Sequence, residues 1–248
     1  MQGRTALITG GARRIGRETA LALAQQGASV VIHFHHSERE AQALAGELER
    51  LGVTAWTLRA DLCDPGDRGT LIERARALAG GLDILVNNAS IFPAEPFNEL
   101  TWRQLSLDME VNAWAPLAFS RDFARGIARG SIINLQDTHL EGYDLEHAGY
   151  ILSKHVLAAL TRMMALALAP AVTVNAVAPG LILPPPGRDE RYLDSQAPRL
   201  PLQRHGGPRD IAEAIVFLIR SDFITGQVIY VDGGRHLNAY RRESEPKG

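Results

Sequence analysis

Residues 5–16 read Thr-Ala-Leu-Ile-Thr-Gly-Gly-Ala-Arg-Arg-Ile-Gly. Thr5 to Ile8 form a short apolar run. Beyond the turn, up to Gly27, apolar side chains return at helical spacing through Ile15, Ala20, Leu21, Leu23 and Ala24. Strand, glycine-rich turn and helix in that order let backbone N–H groups and the positive helix end approach a pyrophosphate. Glycine is needed wherever a side chain would block that approach. An ordinary strand-to-helix loop is the competing reading of the turn taken alone.

Outward from this turn, strand and helix patterns alternate. Strands are expected at 29–34, 53–59, 82–86, 131–135, 172–177 and 227–231, and helices at 38–50, 65–79, 148–168 and 210–220. Residues 82–86 are continuously apolar, as in a strand buried on both faces of a parallel sheet. A long helical pattern over 101–126 is interrupted around Asn112 to Pro116, where proline breaks the ladder and frees carbonyls for water or an ammonium. The chain of 248 residues, 46% hydrophobic, fits one α/β domain over 1–238. Residues 184–205, rich in proline and without periodicity, read as a lid over a site or a plain surface excursion, and 239–248 as a polar tail.

Net charge is −2 with acids and bases interspersed, which argues against nucleic acid as a partner. Cys63 is the only cysteine, so an internal disulfide and a cysteine-rich metal site are excluded. No signal segment or membrane-length apolar run is present, and the reading is a cytoplasmic protein without membrane contact.

At the end of the second strand, where an acid would hold the ribose hydroxyls of NAD, the chain has His33-Phe34-His35-His36-Ser37. With Arg14 in the turn, these donors suit a ribose 2′-phosphate and predict NADPH. Zinc is the other functional reading of the histidines, but no cysteine or carboxylate is placed with them, and no metal is expected. Ser37-Glu38-Arg39-Glu40 reads as a capping box opening the next helix. Asp61, beside Leu62, suits either an adenine amino group or the cap of the following helix. Asn87 and Asn88 leave a buried strand and predict backbone pinning near a cofactor.

Tyr150 and Lys154 lie one helical turn apart and share a face. A nearby ammonium eases ionisation of a phenol, so Tyr150 reads as a proton carrier and Lys154 as its tuner. An exposed pair is the alternative.

Taken together, the Thr9 to Gly16 turn, Asp61, Asn87-Asn88-Ala89, Asn112, Tyr150-x-x-x-Lys154, Asn175 and Pro179-Gly180 resemble the short-chain dehydrogenase/reductase family over about residues 3–236. The resemblance implies one Rossmann-type doubly wound parallel sheet with helices on both faces, and a homodimer or homotetramer. It implies Tyr150 as general acid, Lys154 on the nicotinamide ribose, and Asn112 supporting Lys154 through water. It places Gly10, Arg13, Arg14, Ile15, Gly16, Asp61, Leu62, Asn88, Ala89, Ser90, Pro179, Gly180 and Leu181 with Tyr150 and Lys154 around the cofactor. Three departures, Arg14 for a glycine, Ser90 for a glycine and Asp137 for the usual serine, are similar to the pteridine reductase branch, which includes dihydromonapterin reductases. That likeness implies a small-molecule pterin substrate touching Ser90, Phe92, Asp137, Tyr150 and Leu181, with Phe92 stacked on the pterin and His33, His35, His36 and Ser37 near the 2′-phosphate.

Asp137 also carries a physical argument. An ionised carboxylate only accepts hydrogen bonds and would repel the alkoxide formed in ketone reduction, whereas a ring C=N needs a proton delivered to nitrogen. Carbonyl reduction with Thr138 as donor is the alternative enzyme reading. A non-catalytic NADPH-binding regulator is the alternative of another class.

Overall fold

The computed structural model describes residues 1–185 and 187–240, with side chains to residue 237; most of the expected tail, from 241 onward, lies outside the described residues. Seven strands, β1 (Thr5–Ile8), β2 (Ser29–Phe34), β3 (Ala55–Arg59), β4 (Ile84–Asn87), β5 (Gly130–Leu135), β6 (Val172–Pro179) and β7 (Val228–Val231), form one sheet. Every neighbouring pair is parallel, in the order β3-β2-β1-β4-β5-β6-β7. Chain order reverses between β1 and β4, so their C-terminal ends open the crevice where such sheets bind ligands.

Helices α1 (Arg14–Gln25), α2 (Glu38–Arg50), α3 (Pro65–Ala79), α4 (Trp102–Met109), α5 (Ala115–Ala124), α6 (Ala148–Ala167), α7 (Glu190–Gln196) and α8 (Pro208–Arg220) complete the chain. The two-residue strand period divides the apolar runs between two cores. Ala6, Ile8, Val30, Ile32, Ile84 and Val86 pack with Leu23, Leu44, Ile211 and Ile215 of α1, α2 and α8. Leu7, Val31, Leu85, Ile132 and Val174 pack with Leu71, Phe119, Phe123 and Met164 of α3, α5 and α6. Both faces are covered, as the doubly wound α/β fold requires. Among the described residues no helix is long and apolar enough to cross a membrane.

One local expectation, the interrupted helix, holds and three change. The interrupted helix is α4, a π-turn over Glu110–Trp114 and α5. Pro116 has no N–H for the Asn112 carbonyl, and the ladder widens so that the Ala115 N–H reaches Glu110 O. Ser37 stands at the start of α2 without a side-chain cap, and Glu40 lies 3.5 Å from the Arg13 guanidinium instead, so the capping box is not formed. Asp64, not Asp61, caps α3 by accepting from the Asp67 N–H at 2.8 Å, while Asp61 accepts from Cys63 N–H. Within 184–205, α7 forms behind an Asp189 cap and sets Leu193 against Leu181 and Leu200. One buried anchor in seven residues is too few to show a helical period.

Candidate active site

The turn after β1 is held from three sides. Thr9 Oγ1 accepts the Asn88 and Ala89 N–H groups at 3.0 Å each, and Asn88 Nδ2 donates to Thr9 O at 2.8 Å and Gly10 O at 3.0 Å. From β2, His33 Nδ1 accepts the Gly10 N–H at 3.0 Å while Nε2 donates to Ala60 O at 3.1 Å. Gly10 lies at φ +62°, and Arg14 at φ +54°, where glycine would be at ease. Arg14 reaches back to donate to Pro184 O at 3.1 Å. A Cβ on Gly16 would stand 2.3 Å from Gly10 O and 2.8 Å from Asn88 Nδ2. Gly16→Ala is therefore expected to lower stability by about 1–3 kcal/mol and to weaken cofactor binding; wild-type melting and affinity, from thermal unfolding and a fluorescence titration with NADPH, would refute this.

His33 departs from its expected role. It is 2% exposed, both ring nitrogens are spent on backbone, and burial lowers its pKa to about 4. It has no donor left for a phosphate and serves as a strut between β1, β2 and β3. Of the expected donors, Arg13, Arg14 and His35 line a cavity of about 400 Å³ with Gly10, Ile15, Asp61, Leu62, Asn88, Ala89, Ser90 and the edge of His33, whereas His36 and Ser37 are not in its wall. The His35 ring lies tilted by 30° against exposed His36 with centroids 3.5 Å apart and places Nε2 3.6 Å from Asp61 Oδ2.

More than a hundred residues of chain separate the second centre from this turn, yet the sheet brings it alongside. At the end of β5, Asp137 opens a short 3₁₀ turn (Thr138–Glu141), and α6 brings Tyr150 opposite it. The Tyr150 hydroxyl donates to Asp137 Oδ2 at 2.9 Å. Asp137 Oδ1 accepts from the His139 N–H at 2.8 Å and lies 2.6 Å from His139 Nδ1. Burial pushes the Asp137 carboxyl up, but His139 together with the Tyr150 hydrogen bond more than offsets it, and the group ends below its ordinary range. Tyr150 is held well above the usual phenol range by burial first and by the Asp137 charge second.

Lys154, 4% exposed, donates to Leu135 O at 2.8 Å and lies 5.5 Å from the Tyr150 ring centroid. Burial lowers its pKa to about 8, with the Asp137 charge opposing. The expected easing of Tyr150 ionisation is thus overridden here: the carboxylate touches the hydroxyl, whereas the ammonium is turned to a backbone carbonyl. Behind Tyr150 the carboxyls of Glu95 and Asp108 converge on Gly149, whose Cβ would lie 2.7 Å and 2.3 Å from them. Burial and then Glu95 lift the Asp108 carboxyl to about 7.

Asn112, fully buried, spends its side chain elsewhere than on Lys154. Its Oδ1 accepts from Ser90 Oγ at 3.0 Å and the Ile91 N–H at 2.9 Å, and its Nδ2 donates to Ile91 O and Ser153 Oγ at 3.1 Å each. It fastens the loop that carries Phe92, which is 50% exposed, stacked on His147 at 3.9 Å and edge-on to Tyr150 at 4.6 Å. Asn87 turns inward to Asn134, and Asn175 binds Ile224 O and the Gln227 N–H, so neither faces the crevice. After Pro179, Gly180 lets β6 meet β7: its Cβ would fall 2.4 Å from Asp232 Cβ. Sequence reasoning passed over Asp232, which accepts the Thr138 hydroxyl at 2.6 Å, and Arg235, which donates to His139 Nε2 at 3.1 Å. These pairs are 94 and 96 residues apart, beyond any local pattern. Leu181 lines a second cavity, of about 430 Å³, with His139, Tyr192 and Arg235.

A family model described as Enoyl-(Acyl carrier protein) reductase matches residues 10–236. The chain belongs to the short-chain dehydrogenase/reductase family. Among members of that family, it is 33% identical over 242 residues to a granaticin polyketide synthase putative ketoacyl reductase 2 of Streptomyces violaceoruber, covering 94% of this chain and 96% of the relative. It is 30% identical to a 3-oxoacyl-[acyl-carrier-protein] reductase of Staphylococcus aureus, over 94% and 98% of the two chains. The crystal structure of FolM alternative dihydrofolate reductase 1 from Brucella canis, complexed with NADP, superposes with a TM-score of 0.89 at 32% identity, covering 98% of this chain and 97% of that one. That neighbour fits the pteridine reductase branch of the short-chain dehydrogenases/reductases. As a member of the family the protein is an oxidoreductase, and the cradle at Gly10 and Gly16, which a Cβ would fill, fits the dinucleotide that the family implies.

Proposed function

We propose that the protein is an NADPH-dependent pteridine reductase acting on a ring C=N of a pterin or dihydropterin. The observation that carries this is the Asp137 carboxylate on the Tyr150 hydroxyl, at the place where ketone reduction needs a second donor. Thr138 does not fill that need: it is 3% exposed and its only proton is given to Asp232. An alkoxide forming here would meet a carboxylate, whereas a ring nitrogen needs only the phenolic proton.

In this reading bound NADPH supplies the hydride. Tyr150 protonates the ring nitrogen, Asp137 steers that proton, and Lys154 binds the nicotinamide ribose beside the phenol. Asn112 keeps Ser90 and Phe92 in place, and the open face of Phe92 takes the pterin ring, with Leu181 on the far side. Arg13, Arg14, His35, His36 and Ser37 address the 2′-phosphate, Asp61 and Leu62 the adenine, Gly10, Ile15 and Gly16 the pyrophosphate, and Asn88, Ala89, Pro179 and Gly180 the nicotinamide half. The NADP-bound neighbour supports this choice of cofactor. Exposed Trp102, Leu107, Trp114, Leu152, Val156, Met163 and Leu166 on α4 to α6 support a homo-oligomer, a tetramer by family likeness, which light scattering would test. The lone exposed Cys63 agrees with a cytoplasmic setting.

The test is turnover of dihydrobiopterin, dihydromonapterin, dihydrofolate and a ketoacyl thioester, each with NADPH and with NADH. Pterin turnover favouring NADPH is expected. Thioester turnover without pterin activity would instead support the ketoacyl reading that the named relatives represent, and NADPH binding with no turnover would support a regulator.

A further inference from the structure

We propose that His139, fixed by Arg235, is the positioning residue that holds the Asp137 carboxylate on Tyr150; the inference rests on the reductase reading above. An aspartate at the head of a turn is free to rotate about two side-chain bonds. Here one oxygen is gripped twice by a single residue, through the His139 N–H at 2.8 Å and Nδ1 at 2.6 Å, which leaves Oδ2 directed at the Tyr150 hydroxyl. The grip works only if the imidazole proton sits on Nδ1. Arg235 enforces this, because a guanidinium can only donate, and its donation to Nε2 leaves that nitrogen as the acceptor. The order Arg235, His139, Asp137, Tyr150 is an orienting chain of the kind that fixes a catalytic base through its neighbour.

The groups facing Asp137 are Tyr150 and Lys154 from α6, His139 from its own turn and, through His139, Arg235 from the C-terminal 3₁₀ turn (Arg235–Tyr240). Thr138 ties the same turn to Asp232, which His236 also contacts at 2.8 Å. Burial alone would favour the neutral acid, and the two hydrogen bonds that Oδ1 accepts from His139 oppose it. Removing the imidazole therefore raises the pH at which Asp137 protonates. Activity that needs the ionised carboxylate is lost as pH falls through that value, so the acid limb of the rate profile moves to higher pH.

The experiment compares His139→Ala, His139→Asn and Arg235→Met with the wild type, as full chains, in two ways. Steady-state rates with a dihydropterin and NADPH across pH give kcat and KM separately. A titration of 13C-aspartate-labelled protein by NMR gives the Asp137 carboxyl directly, with no substrate present. For His139→Ala the expected result is a fall in kcat of about 10- to 100-fold with KM little changed, and an acid limb displaced upward. His139→Asn recovers most of the loss, because its amide can donate to Oδ1, and Arg235→Met moves in the same direction by less. Unchanged kcat and acid limb, even with a lowered melting temperature, would overturn the proposal. If no pterin is turned over by the wild type, the reductase reading fails by itself. The NMR titration then still decides the role of His139, an unshifted Asp137 carboxyl counting against it; Arg235→Met serves if His139→Ala does not fold.

Discussion

Asp137→Ala is expected to lower kcat/KM for a dihydropterin by about 10²- to 10⁴-fold, the range of a lost general acid–base group. Among the described residues the carboxylate is the only group seen to accept the Tyr150 hydroxyl, at 2.9 Å, so its removal frees the phenol to turn and leaves the site without its anionic partner. The fold should persist, because among the described residues the Asp137 side chain otherwise bonds only His139. Asp137→Ser sharpens the result. It installs a hydroxyl donor where the carboxylate stood, and it should exchange pterin turnover for measurable reduction of a ketoacyl thioester. Pterin rates within about threefold of wild type in Asp137→Ala would remove Asp137 from the mechanism, since that ratio is only about 0.7 kcal/mol of transition-state energy.

The second large effect runs in the opposite direction. Lys154→Met is expected to abolish reductase activity and yet stabilise the cofactor-free protein at neutral pH. The ammonium is buried with one carbonyl partner, and its pKa falls from an unfolded value of about 10.4 to about 8. Between those values the unfolded chain holds the extra proton, so wild-type stability rises as pH rises through this window, and below it the penalty is complete. That penalty amounts to about 3 kcal/mol, of which losing the bond to Leu135 O returns about 1 kcal/mol, leaving a net gain of about 2 kcal/mol for the methionine variant. Urea unfolding at neutral and alkaline pH measures both the gain and its disappearance. A variant less stable than wild type at neutral pH would show that the ammonium is better solvated than its burial implies.

Sequence and structure agree where the deciding contacts are local. The turn at 9–16 was legible because Gly16 must clear Gly10 O six residues away, and the parallel strands because both faces of runs such as 84–86 are covered. Tyr150 and Asp137 could be paired in advance through the family resemblance, which puts Asp137 where the usual serine stands, and the structure brings the two to 2.9 Å. His33 could not be read correctly: its partners, Gly10 and Ala60, come from two other strands' ends and turn an apparent phosphate donor into a strut. Likewise the local signal at Ser37 to Glu40 gave way to an ion pair with Arg13, and the tuning of Tyr150 by Lys154 gave way to a carboxylate whose own charge His139 sustains. Thr138 looked like a free donor because nothing near it in the chain announces Asp232.

That last contact sets a schedule for the growing chain. When β6 leaves the ribosome, the glycine turn, Asp137, Tyr150 and Lys154 have all been synthesised, and the sheet from β3 to β6 has its strands. Asp232 and Arg235 have yet to be made, so Thr138 still carries an uncommitted hydroxyl and His139 is not restricted to one tautomer. The dinucleotide cradle can therefore precede the completed surroundings of Asp137 during synthesis, since the contacts of Asp232 and Arg235 are supplied only by the last stretch of chain.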